Sequence, residues 1–361
     1  MELTKDVAYQ AIAEFFTDKP FVLFGTGTSC ALDLNFGMPA LECHLRTELA
    51  HGMTEAQAQQ WQQVVSALDA DTHDFESAMD FIKDEPLINR IVELAAGFVA
   101  NHDNAYAHSI MSGLCEWPAG SLLKKLVEAL PQADKQLHVA TPNYDLLAEY
   151  SLVRHKIPYI TGFHGGLLRR YDWGEAKKSV QSIQKGFGKT MASSRIVECK
   201  HVRLHKPHGS LNTFEWEAQL VECNSWILNK PDGVVRAVIT PGTAKYQRLH
   251  KDRAQLAEYD AAVGNHTSFL FLGFGFNDSQ LVNNAFRQKL EQDHCRALVI
   301  TRDSNARIEE WLRKCPNMWI VCKQTNSEKS RIYNSKFENW LHVDDRELWR
   351  FDAFTNEFLG G

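Results

Sequence analysis

The stretch Phe21 to Ser29, FVLFGTGTS, constrains the fold of this chain more than any other part of it. Four apolar residues lead directly into Gly25-Thr26-Gly27-Thr28-Ser29, a pattern typical of a buried strand that ends in a tight turn before a helix. Glycines let a backbone approach an anion closely, and amides at the start of a helix donate hydrogen bonds to it. The stretch therefore predicts either a phosphate site or a close crossing of a strand and a helix.

The glycine turn departs from two common nucleotide-binding patterns. The dinucleotide fingerprint of dehydrogenases has a third glycine and a second strand that ends in an acidic residue about twenty positions later. Here the third glycine is absent, and residues 40–65 have helical periodicity, so Glu42 does not end a strand. The Walker pattern is absent too, because no GK[ST] follows the glycines. The sequence therefore disfavours hydride transfer.

Composition bounds the class of protein. The chain has 361 residues, 44% of them hydrophobic, and a net charge of -6, so direct binding of nucleic acid is not indicated by the overall charge. No apolar run approaches the roughly 20 residues of a membrane span, and the N-terminus has no signal-peptide pattern, so we expect a cytoplasmic protein. The eight cysteines include no CxxC pair, which argues against a disulfide framework or a zinc ribbon.

Strand and helix patterns alternate along most of the chain. Strand-like runs are found at residues 137–141, 268–272, 297–301 and 318–322, with a shorter extended run at 237–240. This alternation predicts an α/β fold, a Rossmann-like doubly wound parallel sheet. Residues 155–235 have no regular pattern beyond short extended runs.

We predict that the chain is divided into a core, an inserted helical module and a tail. The core comprises residues 1–40 and 131–324. Residues 41–130 contain only helical patterns, with breaks predicted near residues 69–73, 101–104 and 117–120. Residues 325–361 carry too many aromatics for disorder and are expected to pack on the core or on a neighbouring subunit.

Four motifs follow strand-like runs: GTGTS with GMP shortly after, TPNYD, HGSLN, and LFLGFGFND. In this order they resemble the sirtuin-like NAD-consuming family, especially its bacterial branch that hydrolyses NAD in anti-phage defence and partners a HerA-type ATPase. The resemblance covers roughly residues 20–40, 137–150, 200–215 and 265–302. It implies that the core is a sirtuin-like Rossmann NAD-binding domain.

Carried onto this sequence, the resemblance implies two catalytic residues. Asn143 corresponds to the asparagine that positions the nicotinamide ribose and the attacking nucleophile, and His208 to the histidine that acts as general base. The implied cofactor-binding residues are Gly25, Thr26, Gly27 and Ser29 at the pyrophosphate, Asp145 at the nicotinamide amide, Gly273 and Gly275 on the phosphate and adenosine side, and Thr301 and Arg302 near the adenosine.

The residue types suit the cleavage of NAD between nicotinamide and ribose. An asparagine can orient a water or a hydroxyl, and an imidazole accepts protons near neutral pH and contributes about 10²- to 10⁴-fold in rate as a base. His164, in the similar sequence FHGG, competes with His208 for this role. Asn277-Asp278 fits either a ribose contact or a helix cap. Cys199, His201 and His205 alternate along a strand-like run and permit a metal site, although a fourth ligand is not evident.

Differences from the deacylase branch of the family argue against protein deacylation as the activity. The paired CxxC zinc module is missing, the Asp-Phe-Arg after the loop proline is replaced by Ala40-Leu41-Glu42, and Pro142 stands before the catalytic asparagine. We therefore expect an NAD glycohydrolase without zinc, gated by homo-oligomer formation or a partner. The alternatives are an NAD-dependent protein deacylase or ADP-ribosyl transferase, and a non-catalytic NAD or ADP-ribose sensor.

Overall fold

The computed structural model describes residues 2–70, 72–184, 195–238, 253–278 and 280–360. The strands are β1 Phe21–Phe24, β2 Gln136–Ala140, β3 Tyr159–Ile160, β4 Phe163–Gly165, β5 Arg169–Tyr171, β6 Gln181–Gln184, β7 Arg195–Glu198, β8 His201–His205, β9 Thr213–Trp216, β10 Gln219–Glu222, β11 Val235–Arg236, β12 Ser268–Leu272, β13 Arg296–Ile300, β14 Met318–Lys323, β15 Ser330–Asn334 and β16 Leu341–Val343. The α-helices are α1 Lys5–Phe15, α2 Thr26–Cys30, α3 Met38–Glu48, α4 Glu55–Asp69, α5 Phe75–Ala78, α6 Glu85–Ser112, α7 Gly120–Glu128, α8 Leu147–Arg154, α9 Trp173–Lys178, α10 Arg253–Gly264, α11 Asn284–Arg287, α12 Ala306–Lys314 and α13 Phe351–Phe358.

A nine-stranded sheet forms the centre of the molecule, in the order β16-β15-β14-β13-β12-β1-β2-β8-β3. The strands from β14 to β3 run parallel to one another, and β15 and β16 extend the edge in antiparallel fashion. The predicted fold class, a doubly wound and mostly parallel α/β sheet, is confirmed.

The apolar runs explain why these segments form central strands. Every residue of β1 and of β12 is buried, as expected for parallel strands that are covered by helices on both faces. Alternate residues of β1 enter different cores: Val22 and Phe24 belong to one hydrophobic cluster, and Phe21 and Leu23 to the other. The glycine turn that follows β1 is therefore held between two packed layers.

Helices α2 to α7 occupy the chain between β1 and β2. The break predicted at residues 101–104 is wrong, because α6 runs without interruption from Glu85 to Ser112. The polar residues that suggested a break include Asp103, which is buried and accepts hydrogen bonds from Leu146 N at 2.7 Å and Tyr150 Oη at 2.5 Å. A polar residue that meets partners on a neighbouring helix does not end its own helix.

A second, antiparallel sheet with the order β11-β9-β10-β5-β4 lies in the segment that was expected to be irregular. The expectation for residues 155–235 was wrong because the strands of this sheet have only two to four residues, too few to show an alternating pattern. Residues 237–238 are not in a strand, and the rest of the run predicted at 237–240 lies outside the described residues.

The segment after β14 is packed against the large sheet. Phe351 and Phe354 of α13 join the hydrophobic cluster that contains Val22 and Phe24, and Tyr333 of β15 stacks on Trp340 with 4.8 Å between ring centroids. The division of the chain into core, module and tail stays a prediction. Within the described ranges, no helix is both long enough and apolar enough to cross a membrane.

Candidate active site

A cavity of about 430 Å³ opens where four neighbouring strands of the large sheet end. Its wall includes Gly25 after β1, Asn143 after β2, His208 after β8 and Gly273 after β12. These strands are adjacent in the order β12-β1-β2-β8, so their carboxyl ends meet at one edge. Open α/β sheets bind ligands in this position, and the volume lies in the usual range for small-molecule sites.

The two glycine turns touch backbone to backbone. Gly27 N donates to Gly273 O at 3.0 Å, and a Cβ at Gly25 would lie 2.3 Å from that same oxygen. Gly273 has a φ of +57°, and a Cβ there would lie 2.6 Å from Gly27 C. The close-crossing interpretation of the sequence therefore accounts for Gly27, whereas Gly25 and Gly273 also contribute backbone to the cavity wall.

Asn143 and Asp145 are held by a shared serine. Asn143 Nδ2 donates to Gly25 O at 3.1 Å and to Ser29 Oγ at 2.9 Å, and Ser29 Oγ donates to Asp145 Oδ2 at 2.7 Å. Because Nδ2 is engaged, Oδ1 is the amide atom of Asn143 that can accept a hydrogen bond from a ligand. Burial raises the pKa of Asp145, while the Lys206 charge and the Ser29 hydrogen bond act in the opposite direction.

A buried lysine supports the loop after β2 that carries Asn143 and Asp145. Lys206 Nζ donates to Asp145 O at 2.5 Å, to Glu149 Oε1 at 2.8 Å and to Ser210 Oγ at 3.1 Å. Its side chain is 3% exposed and that of Glu149 is 8% exposed. Burial raises the pKa of Glu149, and the Lys206 charge opposes the shift. This pair joins the segments that carry Asn143 and His208.

His208 faces the cavity from the loop after β8, and its Nε2 lies 3.0 Å from Asp278 Oδ2. His164, its rival in the sequence, lies in β4 of the small sheet and is not on the cavity wall. The histidine that shares the cavity with Asn143 is therefore His208. Both histidines are followed by glycine, and the sequence favoured His208 because it follows the strand-like residues 202–204 and precedes Ser210-Leu211-Asn212.

The predicted site residues divide into two groups by position. The cavity wall includes Gly25, Thr26, Asn143, Asp145, His208, Gly273 and Gly275. The wall does not include Gly27, Ser29, Thr301 and Arg302. Ser29 is buried beneath the wall, where it joins Asn143 to Asp145, and Arg302 is exposed and pairs with Asp303 at 2.7 Å.

The helical segment between β1 and β2 supplies an apolar side of the cavity, of which the sequence assigned only the GMP motif, residues 37–39, to the site. Phe36, Met38, Leu41, Phe75, Phe98 and Val99 line this side. Helix α3 begins here with Gly37 as its N-cap and without a side-chain cap. Cys30 also lines the cavity, and burial raises the pKa of its thiol to about 11, so it is a neutral thiol at physiological pH.

The histidines near β8 do not form a metal site of the kind that the sequence permitted. Within the described ranges, no three His, Cys, Asp or Glu side chains are arranged to hold a metal ion. His201 Nδ1 lies 2.9 Å from the carbonyl oxygen of Cys199, and His205 instead stacks on His138 in the core with 5.3 Å between ring centroids. The expected absence of zinc stays a prediction.

The fold and the position of the cavity define an α/β protein whose ligand site lies at the carboxyl edge of a parallel sheet. The family model described as the SIR2-like domain matches residues 137–318, half of the chain. The chain therefore belongs to the SIR2-like family, whose members are typically NAD-dependent enzymes. No curated protein matches the chain.

Proposed function

We propose that the chain is an NAD glycohydrolase, which cleaves NAD to nicotinamide and ADP-ribose. The proposal depends above all on the presence of Asn143, Asp145 and His208 on the wall of one cavity, between the glycine turns at Gly25 and Gly273. Membership of the SIR2-like family supports NAD as the substrate. The chemistry of the wall supports hydrolysis as the reaction.

Two helix starts on the cavity wall suit the NAD pyrophosphate. Gly25 is the N-cap of α2 and Gly37 is the N-cap of α3, and neither helix has a side-chain cap. At the start of α2, Gly27 N and Thr28 N already donate to Gly273 O and Gly25 O, which leaves the Thr26 amide to face an anion together with the first amides of α3. The helix dipole favours negative charge at both starts. The apolar side formed by Phe36, Phe98 and Val99 offers a surface for a planar ring.

Each polar side chain then has a defined task in cleavage of the bond between nicotinamide and ribose. Nicotinamide leaves with the electron pair of that bond, and the ribose carbon takes oxocarbenium character until a water attacks it. Asn143 Oδ1 accepts a hydrogen bond from the water and orients it, and His208 takes the proton that the water loses. Asp145 binds the carboxamide of nicotinamide.

Nicotinamide release from NAD by the purified chain tests the proposal. We expect release without any acetyl-lysine peptide, and a loss of about 10²- to 10⁴-fold in kcat in His208→Ala and in Asn143→Ala. His164→Ala is the matched control, because this histidine is outside the cavity and its loss should leave the rate unchanged. Strict dependence on the peptide would indicate a deacylase instead. NAD binding by calorimetry without turnover, in the presence of any gating partner, would indicate a sensor.

Control of this activity is part of the proposal, because unrestrained hydrolysis would drain a cell of NAD. We propose that self-association or a partner gates the enzyme. Leu167, Ile183 and Ile196 are exposed apolar side chains, at 94%, 70% and 67%, and form candidate contact surfaces. The role in anti-phage defence, the HerA-type ATPase partner and the cytoplasmic location remain predictions from the resemblance. Light scattering of the purified chain measures the oligomer.

A further inference from the structure

Asp278 lies directly against the proposed base. Its Oδ2 is 3.0 Å from His208 Nε2, and the two side chains are 9% and 6% exposed. Both residues are on the cavity wall. Asp278 follows β12 and His208 follows β8, and β1 and β2 lie between these strands in the sheet, so the contact joins loops from two non-adjacent strands.

Backbone amides fix the orientation of this carboxylate. Asp278 Oδ1 accepts hydrogen bonds from Gln280 N at 3.0 Å and from Leu281 N at 3.2 Å. One oxygen therefore caps the turn after β12, while the other points to the histidine. A carboxylate held in this way needs little reorganisation when positive charge develops beside it.

The contact distinguishes the two nitrogens of His208. Nε2 is buried 3.0 Å from the carboxylate oxygen, at an angle that does not yet make a directed hydrogen bond, as is common in catalytic pairs before substrate closes the site. A neutral imidazole carries one N–H, and a neighbouring carboxylate favours the tautomer that directs this N–H toward it. The proton of a neutral His208 is then on Nε2, and Nδ1 keeps the lone pair.

We propose that Asp278 is a positioning residue for His208. It holds the Nε2–H tautomer, and it stabilises the imidazolium that forms when Nδ1 accepts the proton of the attacking water. Asp278 remains ionised throughout, and none of its bonds changes. This inference rests on the proposed function of the same site, but the tautomer is a property of the protein that can be measured without turnover.

The other ionisable groups on the cavity wall are differently engaged. Asp145 binds Ser29, and Asp74 accepts a hydrogen bond from Ser77 N at 2.8 Å. Cys30 and Tyr144 also line the cavity. Lys206, two residues before His208, is paired with Glu149. The two carboxylates on the wall other than Asp278, those of Asp145 and Asp74, therefore each accept a hydrogen bond from a donor elsewhere.

The variant Asp278→Asn tests the inference with little effect on the fold, since an asparagine oxygen can still cap the turn. We expect kcat to fall by about 10²- to 10⁴-fold with the dissociation constant for NAD changed by less than about threefold. The acid limb of the kcat profile should move to lower pH, because the negative charge beside the imidazolium is gone. Asp260→Asn, on α10 and outside the cavity, is the matched control. A kcat within about threefold of wild type and an unmoved profile would overturn the inference.

A second measurement tests the role of Asp278 separately from the proposed hydrolysis of NAD. The ¹³C shifts of labelled histidine, with the His208 signals identified by their loss in His208→Gln, report the tautomer in the resting protein. We expect the Nε2–H tautomer in wild type and a change in Asp278→Asn. An Nδ1–H tautomer in wild type would overturn the inference even if NAD is cleaved. NAD that stays intact in the presence of any gating partner, together with the Nε2–H tautomer, would overturn the proposed function alone.

Discussion

Replacing Lys206 by methionine tests whether the buried ion pair beneath the active-site loop stabilises the fold. The substitution keeps most of the side-chain length but removes the charge, and Glu149 loses its cation at 2.8 Å. Both side chains are more than nine-tenths buried. Removal of one partner of such a pair costs about 3–5 kcal/mol, because it leaves an uncompensated buried charge.

The stability lost in Lys206→Met depends on pH because the Glu149 carboxyl can take up a proton. Burial raises the pKa of Glu149 and the Lys206 charge lowers it, so the pKa rises further in Lys206→Met. A carboxyl with a raised pKa binds its proton more tightly in the folded state, so the variant loses stability as pH rises through that pKa. The loss in Lys206→Met should therefore be larger at pH 8 than at pH 5.

Urea denaturation of four proteins measures these effects. They are the wild type, Lys206→Met, Glu149→Gln and the double variant, each at pH 5 and pH 8. Because the double variant has neither charge, its cost should be less than about 2 kcal/mol, well below the sum of the single costs. A cost of Lys206→Met below about 1 kcal/mol at pH 8, or strict additivity of the two substitutions, would refute the reasoning.

Three further predictions concern stability. Burial raises the pKa of Asp103 to about 7, so this residue should contribute a loss of stability on the order of 4 kcal/mol as pH rises from about 4 to above 7. Asp103→Asn should remove that contribution in urea titrations, while the contribution of Glu222, whose pKa burial also raises to about 7, remains. Burial lowers the pKa of His138 to about 2 and of His205 to about 3. The free energy of unfolding should therefore decrease as pH falls below about 6.5, by up to about 1.4 kcal/mol per pH unit for each histidine. His138→Gln should reduce the slope, and an unchanged melting profile would contradict this. Gly273→Ala should cost about 2–5 kcal/mol through its positive φ and backbone clash, whereas Gly264→Ala, with open space around it, should be neutral in thermal melts.

The main sheet was predictable because its strands carry strong local signals. The apolar runs of β1 and β12 are continuous and end in glycine. The small antiparallel sheet was missed, because strands such as β5 and β11 are too short to show a period. The continuity of α6 was also missed, since the partners of Asp103 are on another helix.

The candidate site could be predicted only in part, for a related reason. The motifs identified the loops that meet at the cavity, but a role for Ser29 beneath the wall depends on contacts 114 and 116 positions away in sequence. Lys206 resembles a surface lysine in its local sequence, and its burial follows from Glu149 across 57 positions. The contact between His208 and Asp278 depends on strand order, which no short motif encodes.

The products formed from NAD test the central claim most directly. Chromatography of NAD incubated with the purified chain, together with any partner needed for gating, should show nicotinamide and ADP-ribose accumulating in equal amounts as NAD disappears. The same mixture with His208→Ala should retain its NAD, and His164→Ala should behave as wild type. Nicotinamide without matching ADP-ribose, or ADP-ribose formed at an undiminished rate by His208→Ala, would contradict hydrolysis of NAD at this site.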